Sequence, residues 1–387
     1  MPPDFQKEGI AGFFPLGHPT IIRNVAHMIN THFDIPKVGR TDPETVIRAA
    51  ISASGDGDSI SSYSKDRQNL PSHTTCLKCL HALKIEQLIQ ENNALLLQAA
   101  KKVIQPGSKG SFAIDTNYEP YYGERDGEFK EYIVGSKRVA STNWFYGYVT
   151  LYVVIKDQHV TLAIFPLKQG FTPEEIVRMC VKTLQDNDFS IEMLCLDRGF
   201  YAANVFQYLQ GEGIPHIVPA KRLKGAVQAK LTGRKSTEFE YILNEENTNA
   251  IPVTIVDCVV YLRKKHDKRG TAHHRFVVFG ISASPRRIRE IYSHRFGIES
   301  SYRMKNEVKA KTTSKDPVIR YFYKIIAFVL QNVRISIKWV NFVKAQRGPK
   351  TVEKNKFDLN LLVNVIRDAA NILFPLNKIR ALNLDWM

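Results

Sequence analysis

The sequence predicts an α/β chain: a mixed sheet flanked by helices, preceded by a helical region and interrupted by a β-rich insertion. Three observations predict it. The first hundred residues carry apolar side chains at helical spacing between helix-start signals. Beyond Gln105-Pro-Gly-Ser-Lys-Gly110 the chain turns to runs rich in Val, Ile, Tyr and Phe, first as neighbouring strands and then in alternation with helices. A further β-rich stretch, from Lys221 to about Ser282, comes before a last set of helices.

The elements follow in order. Pro19 to Asn30 has helical periodicity, and Thr41-Asp-Pro-Glu44 is a capping-box start for a helix running toward Ala53. Ser54-Gly-Asp-Gly-Asp-Ser59 breaks that pattern, and two more helical segments, Ser72 to Leu83 and Ile85 to Val103, follow Pro71. Past the linker, Ser111 to Asn117 reads as a strand. Asn143 to Ile155 and His159 to Leu167 read as an antiparallel pair joined by a short polar turn. Thr172-Pro-Glu-Glu175 opens a helix, with Pro in the first turn and acids at the positive dipole end. Then come a strand over Ile191 to Leu196, a helix from Ala202 to Leu209, and a strand from Ile214 to Pro219. The insertion contributes Glu238 to Leu243, Val253 to Leu262 and Arg275 to Ile281. Pro285 begins a basic helix, and Val318 to Val343 is a long apolar one. Lys324, Asn332, Arg334 and Lys338 interrupt that last run and make it a core helix packed on the sheet, not a membrane span. Asp358 to Phe374 is a final amphipathic helix. Strands first, then strand–helix alternation, is the element order of a ribonuclease-H-like sheet.

The charge needs a partner. Fifty-four basic residues face 38 acidic ones, a formal excess of +16 over 387 residues. A polyanion is the natural complement, and nucleic acid fits better than a membrane surface. Several short helices in a basic chain are compatible with a helix-turn-helix-like reader. Residues 1–108 are therefore expected to form a helical DNA-binding domain. Residues 109–345 are expected to form a catalytic domain with 220–283 as its β-rich insertion, and 346–387 a linker and helix. The basic runs Lys221-Arg222-Leu-Lys224 and Arg263-Lys264-Lys265 are read as contacts to a DNA backbone. Five irregularly spaced cysteines make no disulfide framework. Cys180, Cys195 and Cys258 sit in apolar contexts as buried thiols, which suits a reducing cytoplasm, here nucleoid-associated. Cys76 and Cys79, flanked by His73 and His81, look like half a zinc site, but no second pair follows and the segment reads as a helix. The N-terminus lacks a basic-then-apolar signal.

Three acidic positions carry the chemistry. Asp115 and Asp197 each end a short apolar run that reads as a buried strand, and Glu299 stands in a basic, helix-compatible segment. A carboxylate at the end of a core strand packs poorly unless it is paired or holds a cation. An Asp capping a turn is the plain alternative at each strand end. Two on neighbouring strands favour a metal. On a helix, Arg295 and Tyr292 lie four and seven residues before Glu299, on nearly the same face, and Arg303 lies four after. That stripe places Glu299 on a metal and Tyr292 and Arg295 on phosphate; an exposed Arg–Glu pair is the ordinary alternative. Three carboxylates suit two divalent ions, magnesium or manganese, ~4 Å apart, one activating the attacking oxygen and the other stabilising the leaving one.

This set resembles the DDE transposases of bacterial and archaeal insertion sequences, in particular the branch with a Tyr-x2-Arg-x3-Glu-x6-Lys signature on the last helix and a β insertion before it. Tyr292, Arg295 and Glu299 match it; Asn306 stands where the signature has Lys. Lys305 is adjacent, and Arg303 or Lys309 would supply the phosphate contact instead. Leu-Asp197-Arg-Gly-Phe-Tyr is similar to the second-carboxylate segment of that group. The resemblance spans about Ser111 to Val343. It implies cleavage of double-stranded DNA at element ends and joining of the freed 3′-hydroxyls to target DNA, by a multimer, most simply a homodimer, on paired ends. The rival expectations are a nuclease or resolvase of the same fold without strand transfer, and a non-catalytic DNA-binding protein derived from a transposase. Glu124 and Asp126 are read as a solvated turn, His216 as a satisfied core histidine, and His273 and His274 as surface residues.

Overall fold

The computed structural model describes residues 18–65, 67–155, 158–221, 233–246, 248–262, 270–294, 308–344, 351–352 and 356–376. The chain forms two compact units. One comprises residues 1–88, 304–330 and 341–387, the other 89–303 and 331–340.

The first unit is helical. Its described elements are α1 (Thr20–Asn30), α2 (Pro43–Asp56), α3 (Ile60–Tyr63), α4 (His73–His81), the start of α5 (Ile85–Ala100), residues 317–330 of α9 (Pro317–Asn341), and α10 (Leu359–Leu373), with a two-stranded pair, β10 (Val343–Lys344) and β11 (Thr351–Val352). Asp42, not Thr41, caps α2: its carboxylate accepts from the Glu44 amide at 3.4 Å, and Pro43 occupies the first turn. The helix then runs three residues past Ala53 before Gly57, at φ +63°, ends it. Only glycine adopts that left-handed conformation without steric cost. Small residues on α2 let α10 approach closely, for a Cβ at Gly55 would collide with the Ile366 side chain. Ser54 bridges, donating to the Ala50 carbonyl at 2.7 Å and accepting from the Ala310 amide at 3.2 Å. Both cysteines of α4 are buried, and burial pushes the Cys76 thiol up to about 11, so its proton is held rather than poised for release. His81 pairs instead with Asp316 at 2.5 Å.

The second unit is built on a nine-stranded sheet. β1 (Lys109–Pro120) pairs antiparallel with β3 (Thr142–Ile155). The far side of β3 is shared by β2 (Ile133–Val139) along its first part and β4 (Gln158–Pro166) along the rest. On the other side of β1, β5 (Ser190–Leu196) and then β6 (His216–Pro219) run parallel to it. β9 (Gly270–Phe279) continues antiparallel on β6, followed by β8 (Ile251–Leu262) and β7 (Thr237–Leu243). The β-rich stretch thus extends the central sheet itself.

Helices cover that sheet. α6 (Pro173–Asp186) starts with a full capping box between Thr172 and Glu175 and buries Val177, Cys180, Val181 and Leu184 in the core that also holds Phe112, Ile114, Leu194 and Leu196. α7 (Ala203–Gly211) adds Phe206 and Leu209 to the same core. The outer edge of β4 is closed by amide side chains. Asn332 on α9 accepts from the Thr161 amide at 3.1 Å and donates to the Thr161 carbonyl at 2.7 Å and the Leu96 carbonyl at 3.1 Å. Asn92 on α5 accepts from the Ile164 amide at 3.0 Å. A side chain that both donates and accepts can stand in for a missing neighbour strand. The core reading of α9 holds: Asn332 is fully buried, and no helix among the described residues is long and apolar enough to cross a membrane. All five cysteines are buried and reduced.

Candidate active site

β1 and β5 are adjacent and parallel, with Ile114 opposite Leu196 as the last matched pair. Asp115 and Asp197 come next, from strands about 4.8 Å apart; Asp197 lies just past the end of β5, but Asp115 does not end its strand, because β1 runs on to Pro120 beside β3. Asp115 is nearly buried, at 9% exposure, while Asp197 is half-buried. Each turns an oxygen back on its own chain. Asp115 Oδ1 accepts from the Thr116 amide at 3.0 Å, and Asp197 Oδ1 accepts from the Arg198 amide at 2.7 Å, capping the short turn Arg198–Phe200. The Thr150 hydroxyl on β3 donates to the Asp115 carbonyl at 3.3 Å. Both carboxylates are thereby held by bonds to their own backbone.

The basic helix that begins at Pro285 is α8 (Pro285–His294), and it lies over this end of β5. Tyr292, which the sequence suggested as a phosphate contact, is 3% exposed; its hydroxyl donates to the Leu196 carbonyl at 3.2 Å, and its ring meets Phe276 at 5.0 Å. His159 Nε2 donates to the His294 carbonyl at 2.9 Å, holding the last turn of α8. Arg295, Glu299, Arg303 and Lys305 lie outside the described residues, as do Arg222, Lys224, Arg263, Lys264 and Lys265. Lys221 is exposed, its ammonium 5.9 Å above the Tyr201 ring. Lys309 is half-buried in the helical unit. Among the described residues no three His, Cys, Asp or Glu side chains cluster as a metal set.

The remaining candidates fall out individually. Glu124 and Asp126 are exposed, in a turn. His216 is buried in β6 between Phe206 and Phe279, at 5.8 and 5.5 Å, with Nδ1 2.9 Å from the Ile214 carbonyl. Burial pushes its pKa down to about 4, so it is neutral. His274 is exposed, and His273 is half-buried. Its Nδ1 lies 2.7 Å from Asp257, a carboxylate 1% exposed that also faces Arg275 at 3.4 Å. This Asp–His–Arg set on β8 and β9, centred on the buried Asp257, was missed, although one acid inside the apolar run Thr-Ile-Val-Asp257-Cys-Val-Val is its signal.

No protein-family model matches the chain, and no curated protein matches it in sequence. In fold it is similar to the piggyBac transposase, solved as a synaptic complex with hairpin DNA. The TM-score is 0.54 at 10% identity, over 93% of this chain and 81% of that one. At that identity the likeness is one of fold.

Proposed function

We propose that the chain is a DNA transposase of the DDE type, cutting DNA at element ends and joining the 3′-hydroxyls to a target. The observation that carries this reading is the placement of Asp115 and Asp197 on neighbouring parallel strands, each one residue past their last matched pair. The strand order supports it: β4-β3-β1 antiparallel, then β5 and β6 parallel to β1, is consistent with a ribonuclease-H-like sheet. The fold likeness to a transposase solved with DNA and the +16 charge point the same way.

The pair fits a hard divalent cation, since both groups offer only oxygen and Asp115 would be costly to bury without a cation or donors around it. Asp115 and Asp197 would hold Mg2+ or Mn2+, with Glu299 as the third carboxylate and two ions shared among the three. Bound there, the ions supply activation of the attacking hydroxyl and stabilisation of the leaving oxygen. The chain's own part is positioning. Backbone amides orient the two carboxylates, Tyr292 ties α8 to the β5 end, and Arg295 and Arg303 are assigned to phosphate. Joining of paired ends would require two copies, hence a homodimer on double-stranded DNA.

The test uses purified chain, Mg2+ or Mn2+, and duplex DNA taken from the regions that flank its coding sequence. Labelled 3′ ends should be freed and then joined to a second duplex; cleavage without joining would leave a nuclease. Asp115→Ala and Asp197→Ala should each lower cleavage by more than ~100-fold, because even groups behind a metal's ligands cost 10- to 100-fold. Unchanged cleavage in either variant sinks the assignment.

A further inference from the structure

Within the sheet unit, α6 and α7 both begin at the walls of one cavity of about 420 Å³, a size that admits a small ligand. Pro173 and Glu174 in the first turn of α6 line it, and so do Ala203, Asn204 and Val205, the first three residues of α7. The positive ends of two helix dipoles therefore meet at one hollow. The two ends differ. α6 closes its own, through the capping box of Thr172 and Glu175. α7 does not. Its N-cap is Ala202, with extended backbone (φ −148°, ψ 143°) and no side-chain acceptor, so the first-turn amide donors of α7 lack a side-chain cap.

Two side chains in the same walls add donors. Tyr201 is 7% exposed, and its hydroxyl, shut off from solvent, has no hydrogen-bond partner among the described residues. A buried hydroxyl in that state costs free energy that an acceptor would recover. Burial pushes its pKa up to about 12, so it stays a donor at neutral pH. The exposed ammonium of Lys221 stands 5.9 Å above the same ring. The one acid in the wall, Glu174, is matched by Arg178 at 2.8 Å. Asn249 closes the far side, accepting from Asn244 and donating to Asn204 at 3.2 Å each.

We propose that this cavity binds a terminal phosphate group, of a mononucleotide or of a DNA 5′ end, against the N-terminus of α7, with the Tyr201 hydroxyl and the Lys221 ammonium as further donors. Uncapped first-turn amides at a positive dipole end suit phosphate. The donors come from three separate places: a helix start, a ring hydroxyl and a flexible ammonium. A phosphomonoester offers three free oxygens to meet them, where a carboxylate offers two. The site is separate from the carboxylate pair, since Tyr201 lies four residues past Asp197, beyond the turn Arg198–Phe200. It requires no divalent ion, and it stands whether or not the chain cuts DNA.

The full chain is titrated with inorganic phosphate at constant ionic strength, reading the unfolding midpoint and the heat of binding. Wild type should show a saturable rise in midpoint that chloride does not produce. Ala202→Asp supplies the missing cap and a competing negative charge. Its midpoint without phosphate should rise by about one to three degrees, and its response to phosphate should vanish. Tyr201→Phe should weaken phosphate binding about 10- to 100-fold, the range for one bond to a charged partner, while its phosphate-free midpoint holds or rises. A merely structural Tyr201 hydroxyl would do the reverse, lowering that midpoint and leaving phosphate affinity alone. AMP against adenosine, and a 5′-phosphorylated against a 5′-hydroxyl single strand, then name the source by the pair in which the phosphate adds affinity. The inference is overturned if wild type shows no saturable phosphate binding, if both variants bind phosphate as wild type does, or if phosphate adds affinity in neither pair. None of these results touches the transposase reading, which metal-dependent cleavage tests separately.

Discussion

The Tyr292 hydroxyl donates to the Leu196 carbonyl at 3.2 Å, one residue ahead of Asp197. A helix and a strand end are thereby joined at the position where the candidate chemistry begins. Tyr292→Phe keeps the ring against Phe276 and removes this bond. The expected cost is ~1 kcal/mol of stability, a drop of a few degrees in the unfolding midpoint. Metal-dependent cleavage should fall by a larger factor than the folded fraction does, because α8 leads into the segment bearing Glu299. Equal activity in the variant would remove Tyr292 from any positioning role.

Asn332 makes three bonds to backbone groups of β4 and α5, all buried. Asn332→Leu is close in volume and would leave the Thr161 amide and carbonyl without their partner. Each stranded group costs ~1–3 kcal/mol, so the variant should lose several kcal/mol in denaturant unfolding. A loss below ~1 kcal/mol would mean that water or a shift of the helix replaces the side chain.

His216 gives a pH signature. Its folded pKa, about 4, lies below the ordinary value of 6.5, because burial disfavours the charged ring. The unfolded chain therefore takes up a proton first. The stability tied to the neutral ring is complete above pH 6.5 and is lost as pH falls from 6.5 through 4. His216→Phe, whose ring suits a place between Phe206 and Phe279, should flatten the unfolding free energy over that window by up to one proton's slope. Parallel wild-type and variant curves from pH 7 to 4 would exclude the assignment.

Metal binding has a readout apart from catalysis. A cation that binds only the folded chain raises its unfolding midpoint, by ~2.7 kcal/mol at 100 times the dissociation constant. Mn2+ should stabilise wild type, and Asp115→Asn or Asp197→Asn should abolish the shift while leaving the metal-free midpoint within a few degrees. An equal Mn2+ shift in both variants would place the ion elsewhere.

Much of the sheet was legible because its strands carry period-two or continuous apolar runs with clear breaks, as in Ile191 to Leu196 before Asp197. Neighbouring placement of Asp115 and Asp197 was legible for the same reason, each ending such a run. β2 was not: Ile133–Val139 contains Gly135, Ser136, Lys137 and Arg138, and its pairing is decided by β3 and not by its own composition. Tyr292 was read as a phosphate contact from its helix face, but periodicity says nothing about which neighbour a hydroxyl meets, and here it meets the Leu196 carbonyl. The cavity at the starts of α6 and α7 was invisible for a related reason. It exists because two helix ends meet in space, and single-chain spacing does not reveal which ends converge.

The pairing of β9 with β6 bears on how this molecule can be dissected. Strand β6 has four residues, and it is held on one flank by β5 and on the other by β9. Excising residues 220–279 would therefore do more than trim an appendage. It would strip one rail from a two-railed strand and leave His216 to Val218 as raw hydrogen-bonding backbone open to any passing chain. A shortened version should precipitate instead of behaving as a minimal nuclease, and a split between independently expressed pieces is better placed anywhere but there.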